Sequence, residues 1–140
     1  MSTKIKRKVL FICNHNLARS QIAEGLLKSL YGEYYEVYNA GSNPTIVNPY
    51  AIKVLEEISV DISGNRSKNL KEFEDLEFDY VVTVCDGEGQ KCPCFSGGKT
   101  YIQKSFEDPA AVNGDDPVKF DAFRRNRKDI KFWLEKTFKV

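Results

Sequence analysis

Apolar and polar positions along the chain follow two periods in turn. Lys8 to Ile12 is a short apolar, β-branched run that reads as a strand, and from Ser20 to Leu30 the apolar residues Ile22, Leu26, Leu27 and Leu30 recur at helical spacing. Tyr35 to Ala40 mixes aromatic and β-branched residues as a second strand does, until Gly41-Ser42-Asn43-Pro44 breaks it. Asn48-Pro49 sets an N-cap residue before a proline at the first helical position, predicting a helix to about Glu57. Asp61 to Asn69 reads as loop and Leu70 to Leu76 as a short helix. Phe78 to Val84 has the continuous apolar character of a fully buried strand. Asp86 to Lys99, with Gly87, Gly89, Pro93, Gly97 and Gly98, reads as a long loop, and Thr100 to Gln103 as a fourth strand. Asp115-Asp116-Pro117 opens a last helix that carries Phe123, Arg127, Ile130, Trp133, Leu134 and Phe138 along one face.

Strands that alternate with helices imply a parallel sheet covered on both faces. The expected fold is α/β: a single-domain three-layer α/β/α sandwich with a four-stranded parallel sheet, residues 1–140 forming one domain without repeats or low-complexity segments. In open sheets of this kind ligands bind beyond the carboxyl ends of the strands. Cys13 and Cys85 each follow such an end, so adjacent strands would turn both thiols toward one crevice.

Composition narrows the choice. With 21 basic against 20 acidic residues the formal charge is +1, so no overall field recruits nucleic acid or an anionic membrane, and anion recognition has to be local. The basic run Lys4 to Lys8 precedes an apolar stretch too short for a signal peptide, and nothing approaches the ~18 apolar residues of a membrane span. A soluble, cytoplasmic monomer is expected, in a compartment where four cysteines serve catalysis, redox exchange or metal binding before they serve structural disulfides.

The sharpest signal is Cys13-Asn14-His15-Asn16-Leu17-Ala18-Arg19-Ser20, between the first strand and the first helix. A loop of this length curls around a tetrahedral oxyanion, with successive N–H groups and the helix N-terminus aimed at one centre. Cys13 lies beneath that centre, Arg19 closes over it, and the helix end and guanidinium both favour thiolate over thiol. The Ser20 hydroxyl is placed to hydrogen-bond the thiolate. Asn14, His15, Asn16, Leu17, Ala18 and Arg19 are therefore the expected oxyanion-binding residues. Asp108-Pro109 is a common turn former, but a carboxylic acid held over the loop can also protonate a departing oxygen. The adjacent Glu107 would point the other way along an extended segment. Cys85 and Cys92 flank a glycine-bearing stretch free enough to close a disulfide, as thiol exchange requires.

At the loop the chain resembles the low-molecular-weight tyrosine phosphatases and the thioredoxin-coupled arsenate reductases that share their fold. The likeness extends through Ser20-Gln-Ile-Ala-Glu-Gly25, Ala40-Gly-Ser-Asn-Pro44, Val47-Asn-Pro49, Val60-Asp-Ile-Ser63, Ser67-Lys68, Val81-Val-Thr-Val-Cys85, Cys92-Pro93 and Phe106-Glu-Asp-Pro-Ala110. The resemblance implies that Cys13 attacks arsenate while Asp108 protonates the leaving oxygen. It further implies that Cys85 then attacks the Cys13 adduct to release arsenite, and that Cys92 carries the disulfide outward for reduction by thioredoxin. Catalysis would thus rest on Cys13, Arg19, Ser20, Cys85, Cys92 and Asp108, with no bound cofactor or metal, and with phosphate or sulfate as competing oxyanions.

The chain departs from the pattern in places. Cys94 offers a second thiol beside Cys92, but Cys92-Pro93 is the pair that matches. His15 stands where many relatives have glycine, and its expected contribution is a backbone N–H. Asn16 matches a loop-bracing asparagine, whereas Leu17 and Ala18 replace a frequent serine and cysteine. Some relatives hold potassium through equivalents of Asn16 and Glu24. Asn39 and Lys68 stand at two further positions of that site, and the lysine ammonium is expected to act in place of the ion. The main alternative is a low-molecular-weight phosphatase that hydrolyses monoesters through a cysteinyl-phosphate, yet Ala110 replaces the aromatic residue that such enzymes place after Asp-Pro. A thiol or zinc sensor built on Cys85, Cys92, Cys94 and His15 lacks the usual Cys-x-x-Cys pairs.

Overall fold

The computed structural model describes residues 6–13, 19–41, 47–64, 68–84 and 95–138. Four strands, β1 (Arg7–Cys13), β2 (Tyr35–Gly41), β3 (Phe78–Thr83) and β4 (Gly98–Gln103), form one all-parallel sheet in the order β2-β1-β3-β4. Three α-helices, α1 (Arg19–Tyr31), α2 (Pro49–Glu56) and α3 (Asp116–Thr137), accompany them, with 3-10 turns at Leu70–Phe73 and Pro109–Ala111. The order places β1 at the centre, paired with β2 through Ile12↔Ala40 and with β3 through Ile12↔Thr83.

The alternation of β1 divides the core. Val9, Phe11 and Cys13 enter a cluster with Ile22, Leu26 and Leu27 of α1, Val54 and Leu55 of α2, and Phe123, Ile130 and Leu134 of α3. Leu10 and Ile12 enter a second cluster with Ala40, Phe73, Phe78 and Val81. The expected three layers are present but unequal, since the side chains of all three α-helices gather in the first cluster. The second is covered by the 3-10 turn and by Phe95, whose ring meets Phe78 edge-on. The predicted short helix at Leu70 closes after one turn, held by a capping box between Asn69 and Glu72.

β4 begins at Gly98, two residues before the strand read from the pattern. Gly98 pairs with Phe78, and a Cβ at this position would come 2.5 Å from Val81 Cγ2, so only glycine lets the edge strand approach here. Gly25 does the same for α1: a Cβ there would come 2.8 Å from Ile62 Cγ2 and 3.0 Å from Leu55 Cδ1. On α3, Arg127 is half-buried beside α2, where Nη1 donates to the Val54 carbonyl at 2.5 Å and to Glu57 at 2.8 Å. Among the described residues no helix is long and apolar enough to cross a membrane.

Candidate active site

Cys13 is the last residue of β1 and is 2% exposed. Its Sγ lies 3.5 Å from Ser20 Oγ in the first turn of α1, where Ser20 is itself fully buried. This pairing sets the first turn of α1 against the carboxyl end of β1. Arg19, the first residue of α1, is 5% exposed. One of its amino groups, Nη1, donates to the Phe106 carbonyl at 3.2 Å, and the other, Nη2, lies 3.7 Å from Asp108 Oδ2. A single guanidinium thus joins the Cys13 end of the sheet to a segment 87 residues further along the chain.

That segment is held from several sides. Lys104 N donates to Thr83 O at 2.9 Å, tying the exit of β4 to β3. The buried Phe106 ring packs edge-on against Trp133 of α3, and Asn126 Nδ2 of α3 donates to the Glu107 carbonyl at 2.8 Å. Asp108 caps the Pro109–Ala111 turn by accepting from Ala110 N at 3.0 Å through Oδ1, which leaves Oδ2 on the side of Arg19. Asp108 is therefore the turn former its sequence suggests and the ion-pair partner of Arg19 as well. Ala110 is exposed and offers no ring beside the acid.

Below the strand end, Asn39 of β2 is fully buried, and its Nδ2 donates to Gln21 at 3.3 Å and to the Glu24 carboxylate. Lys28, one helical turn on, pairs with Glu24 at 3.0 Å. Glu24 thus carries an ammonium on one carboxylate oxygen and an amide on the other. The Lys68 backbone carbonyl accepts from Gly41 N at 2.9 Å.

Of the residues singled out from sequence, Cys13 is brought to Ser20 and Arg19 to Asp108. Asn14, His15, Asn16, Leu17, Ala18, Cys85, Cys92 and Cys94 lie outside the described residues. Val84, immediately before Cys85 in sequence, is buried and donates its N–H to Ile12 O at 2.9 Å, and Ile12 immediately precedes Cys13. The Phe106 carbonyl and Asn126 were not evident in the sequence. The available signal for Asn126 was an uncharged polar residue inside Arg124-Arg125-Asn126-Arg127-Lys128, three positions from Phe123 and four from Ile130.

Comparison with known proteins agrees with this geometry. The family model for low molecular weight phosphotyrosine protein phosphatase matches residues 8–139. The arsenate reductase of Halalkalibacterium halodurans is 38% identical over 125 residues, spanning 89% of this chain and 90% of that protein. A solved structure of an arsenate reductase in the phosphate binding state superposes with a TM-score of 0.79 at 31% identity, covering 93% of this chain and 95% of that one. The thioredoxin-dependent arsenate reductase of Corynebacterium glutamicum superposes with a TM-score of 0.68 at 32% identity, covering 96% of this chain and 63% of that one. The chain belongs to the low molecular weight phosphotyrosine protein phosphatase family, among its arsenate reductases.

Proposed function

We propose that this protein reduces arsenate to arsenite with Cys13 as nucleophile, and that a relay through Cys85 and Cys92 delivers the resulting disulfide to thioredoxin. The observation that carries the reading is the pairing of the Arg19 guanidinium with the Asp108 carboxyl, Arg19 standing one residue before the Ser20 that meets Cys13. A thiolate, a cation and a proton donor converge there on the space an oxyanion would fill. Cys13 Sγ forms a bond to arsenic, one arsenate oxygen leaves as water after taking a proton from Asp108, and Ser20 donates to the sulfur whenever it is anionic. Cys85 thiolate then attacks Cys13 Sγ. The sulfur–arsenic electron pair passes to arsenic, which leaves as arsenite, and a Cys13–Cys85 disulfide remains. Attack by Cys92 on Cys85 frees Cys13, and a thioredoxin dithiol reduces the Cys85–Cys92 disulfide.

The bond from Val84 N to Ile12 O supports this order of events, because it brings the chain just before Cys85 alongside the chain just before Cys13. The thioredoxin dependence of the Corynebacterium glutamicum relative supports the choice of reductant. The same Cys13, Arg19 and Asp108 could hydrolyse a phosphate monoester, but the exposed Ala110 offers an aromatic substrate no ring at that position. Arsenate-dependent oxidation of thioredoxin distinguishes the two. Wild type and Cys94→Ser are expected to turn over, whereas Cys13→Ser, Cys85→Ser and Cys92→Ser lose turnover. Wild-type turnover by Cys85→Ser would exclude the relay.

A further inference from the structure

Asn126 sits in the middle of α3 at 4% exposure, where an amide is costly. Its Nδ2 donates to the Glu107 carbonyl at 2.8 Å, while its Oδ1 is shielded from water and has no hydrogen-bond partner among the described residues. An unpaired buried acceptor is destabilising, and an apolar side chain of similar size would avoid that cost. What the amide supplies in return is its donor, and that donor goes to the peptide between the two residues that Arg19 holds. Arg19 Nη1 takes the Phe106 carbonyl and Nη2 faces Asp108. The same guanidinium is the group that meets the oxyanion, so its grip on this segment is shared once substrate is present. The bond from Asn126 has no such competitor, and its helix is fastened to the core through Phe123 and Ile130.

We propose that Asn126 is a positioning residue for the reaction: it fixes the Glu107 peptide and thereby keeps the Asp108 carboxyl at the leaving oxygen while Arg19 engages the oxyanion. The proposal rests on the reading of Asp108 as the acid. It is tested by timing arsenite release in a single turnover of the full-length protein as wild type, Asp108→Asn, Asn126→Leu and the double variant. Loss of a general acid slows such a step by roughly 10²–10⁴-fold. Misplacing the acid by a fraction of an ångström is expected to slow Asn126→Leu by roughly 5- to 20-fold. Inhibition by phosphate should stay within about twofold of wild type, because the oxyanion loop is untouched, and in the Asp108→Asn background Asn126→Leu should change the rate by less than about twofold. Asn126→Ser, too short to reach Glu107, completes the same cycle if the leucine variant does not fold. A single variant as fast as wild type, or an equal slowing in both backgrounds, would overturn the positioning role. If Asp108→Asn itself releases arsenite at the wild-type rate, the assignment of the acid fails, and the positioning role fails with it by a separate route.

Discussion

Ser20 and Cys13 face each other at 3.5 Å with both side chains out of water, so the hydroxyl is placed to donate to the sulfur when it acts as a thiolate. A hydrogen bond to a charged group is worth about 1.5–3 kcal/mol. Ser20→Ala should therefore slow both arsenate reduction and alkylation of Cys13 by iodoacetamide at pH 7, roughly 10- to 100-fold by that magnitude, with the thermal midpoint little changed. Alkylation at the wild-type rate would remove Ser20 from the reaction. At this scale Cys13, Arg19, Ser20 and Asp108 were legible because each is a reactive residue type at a strand end, a helix start or a turn. The Phe106 carbonyl was not, since a backbone acceptor leaves no mark in residue identity. Asn39 was named only through the resemblance, and its bonds to Gln21 and Glu24 were not legible because those partners come from a different element.

The elements were read to within a residue or two at most ends, because apolar period and capping chemistry both act locally. Pro49 after Asn48 and Pro117 after Asp115 and Asp116 mark helix starts, and the structure shows Asn48 and Asp115 as the caps. How the elements lean on one another was less visible. The contact of α1 with Leu55 and Ile62 depends on the missing side chain of Gly25, and an absent group has no period. Gly25→Ala should lower stability by about 1–3 kcal/mol through overpacking, even though alanine favours helix, and urea unfolding measures the change. An unchanged midpoint would mean that Ile62 yields freely. The junction of α2 with α3 turns on Glu57, which accepts from Arg124 at 2.7 Å and from Arg127 at 2.8 Å. Hydrogen bonds from Arg124 and then Arg127 hold its carboxyl down at about 2. A depressed carboxyl stabilises the fold above its ordinary titration range, and that contribution disappears as pH falls toward the folded-state value. Glu57 is more than a third exposed, so solvent screening limits the effect to about 1 kcal/mol or less. The stability gap between wild type and Glu57→Gln should thus be present at pH 6 and close between about pH 4.5 and pH 2. A gap independent of pH would show that the ion pairs contribute nothing.

Over the whole molecule, chemistry depends on the order β2-β1-β3-β4, which sets the strand ending at Cys13 beside the strand leading to Cys85. From sequence this adjacency was only a condition on which the two-thiol crevice depended. Strand order is decided by long-range packing, here by Leu10 opposite Val81 and Phe11 opposite Val82, and no local pattern encodes it. The same sheet edge gathers the exit of β4, whose backbone is tied to Thr83 before it reaches Asp108. Cys13, Arg19 and Asp108, the nucleophile, cation and acid of the proposed reaction, thus come from three parts of the chain. The most direct measurement is mass spectrometry of reduced Cys92→Ser/Cys94→Ser protein after one equivalent of arsenate. The account predicts one arsenite released per chain and a single Cys13–Cys85 disulfide. Arsenate recovered unreduced, with Cys13 and Cys85 both still free thiols, would contradict it.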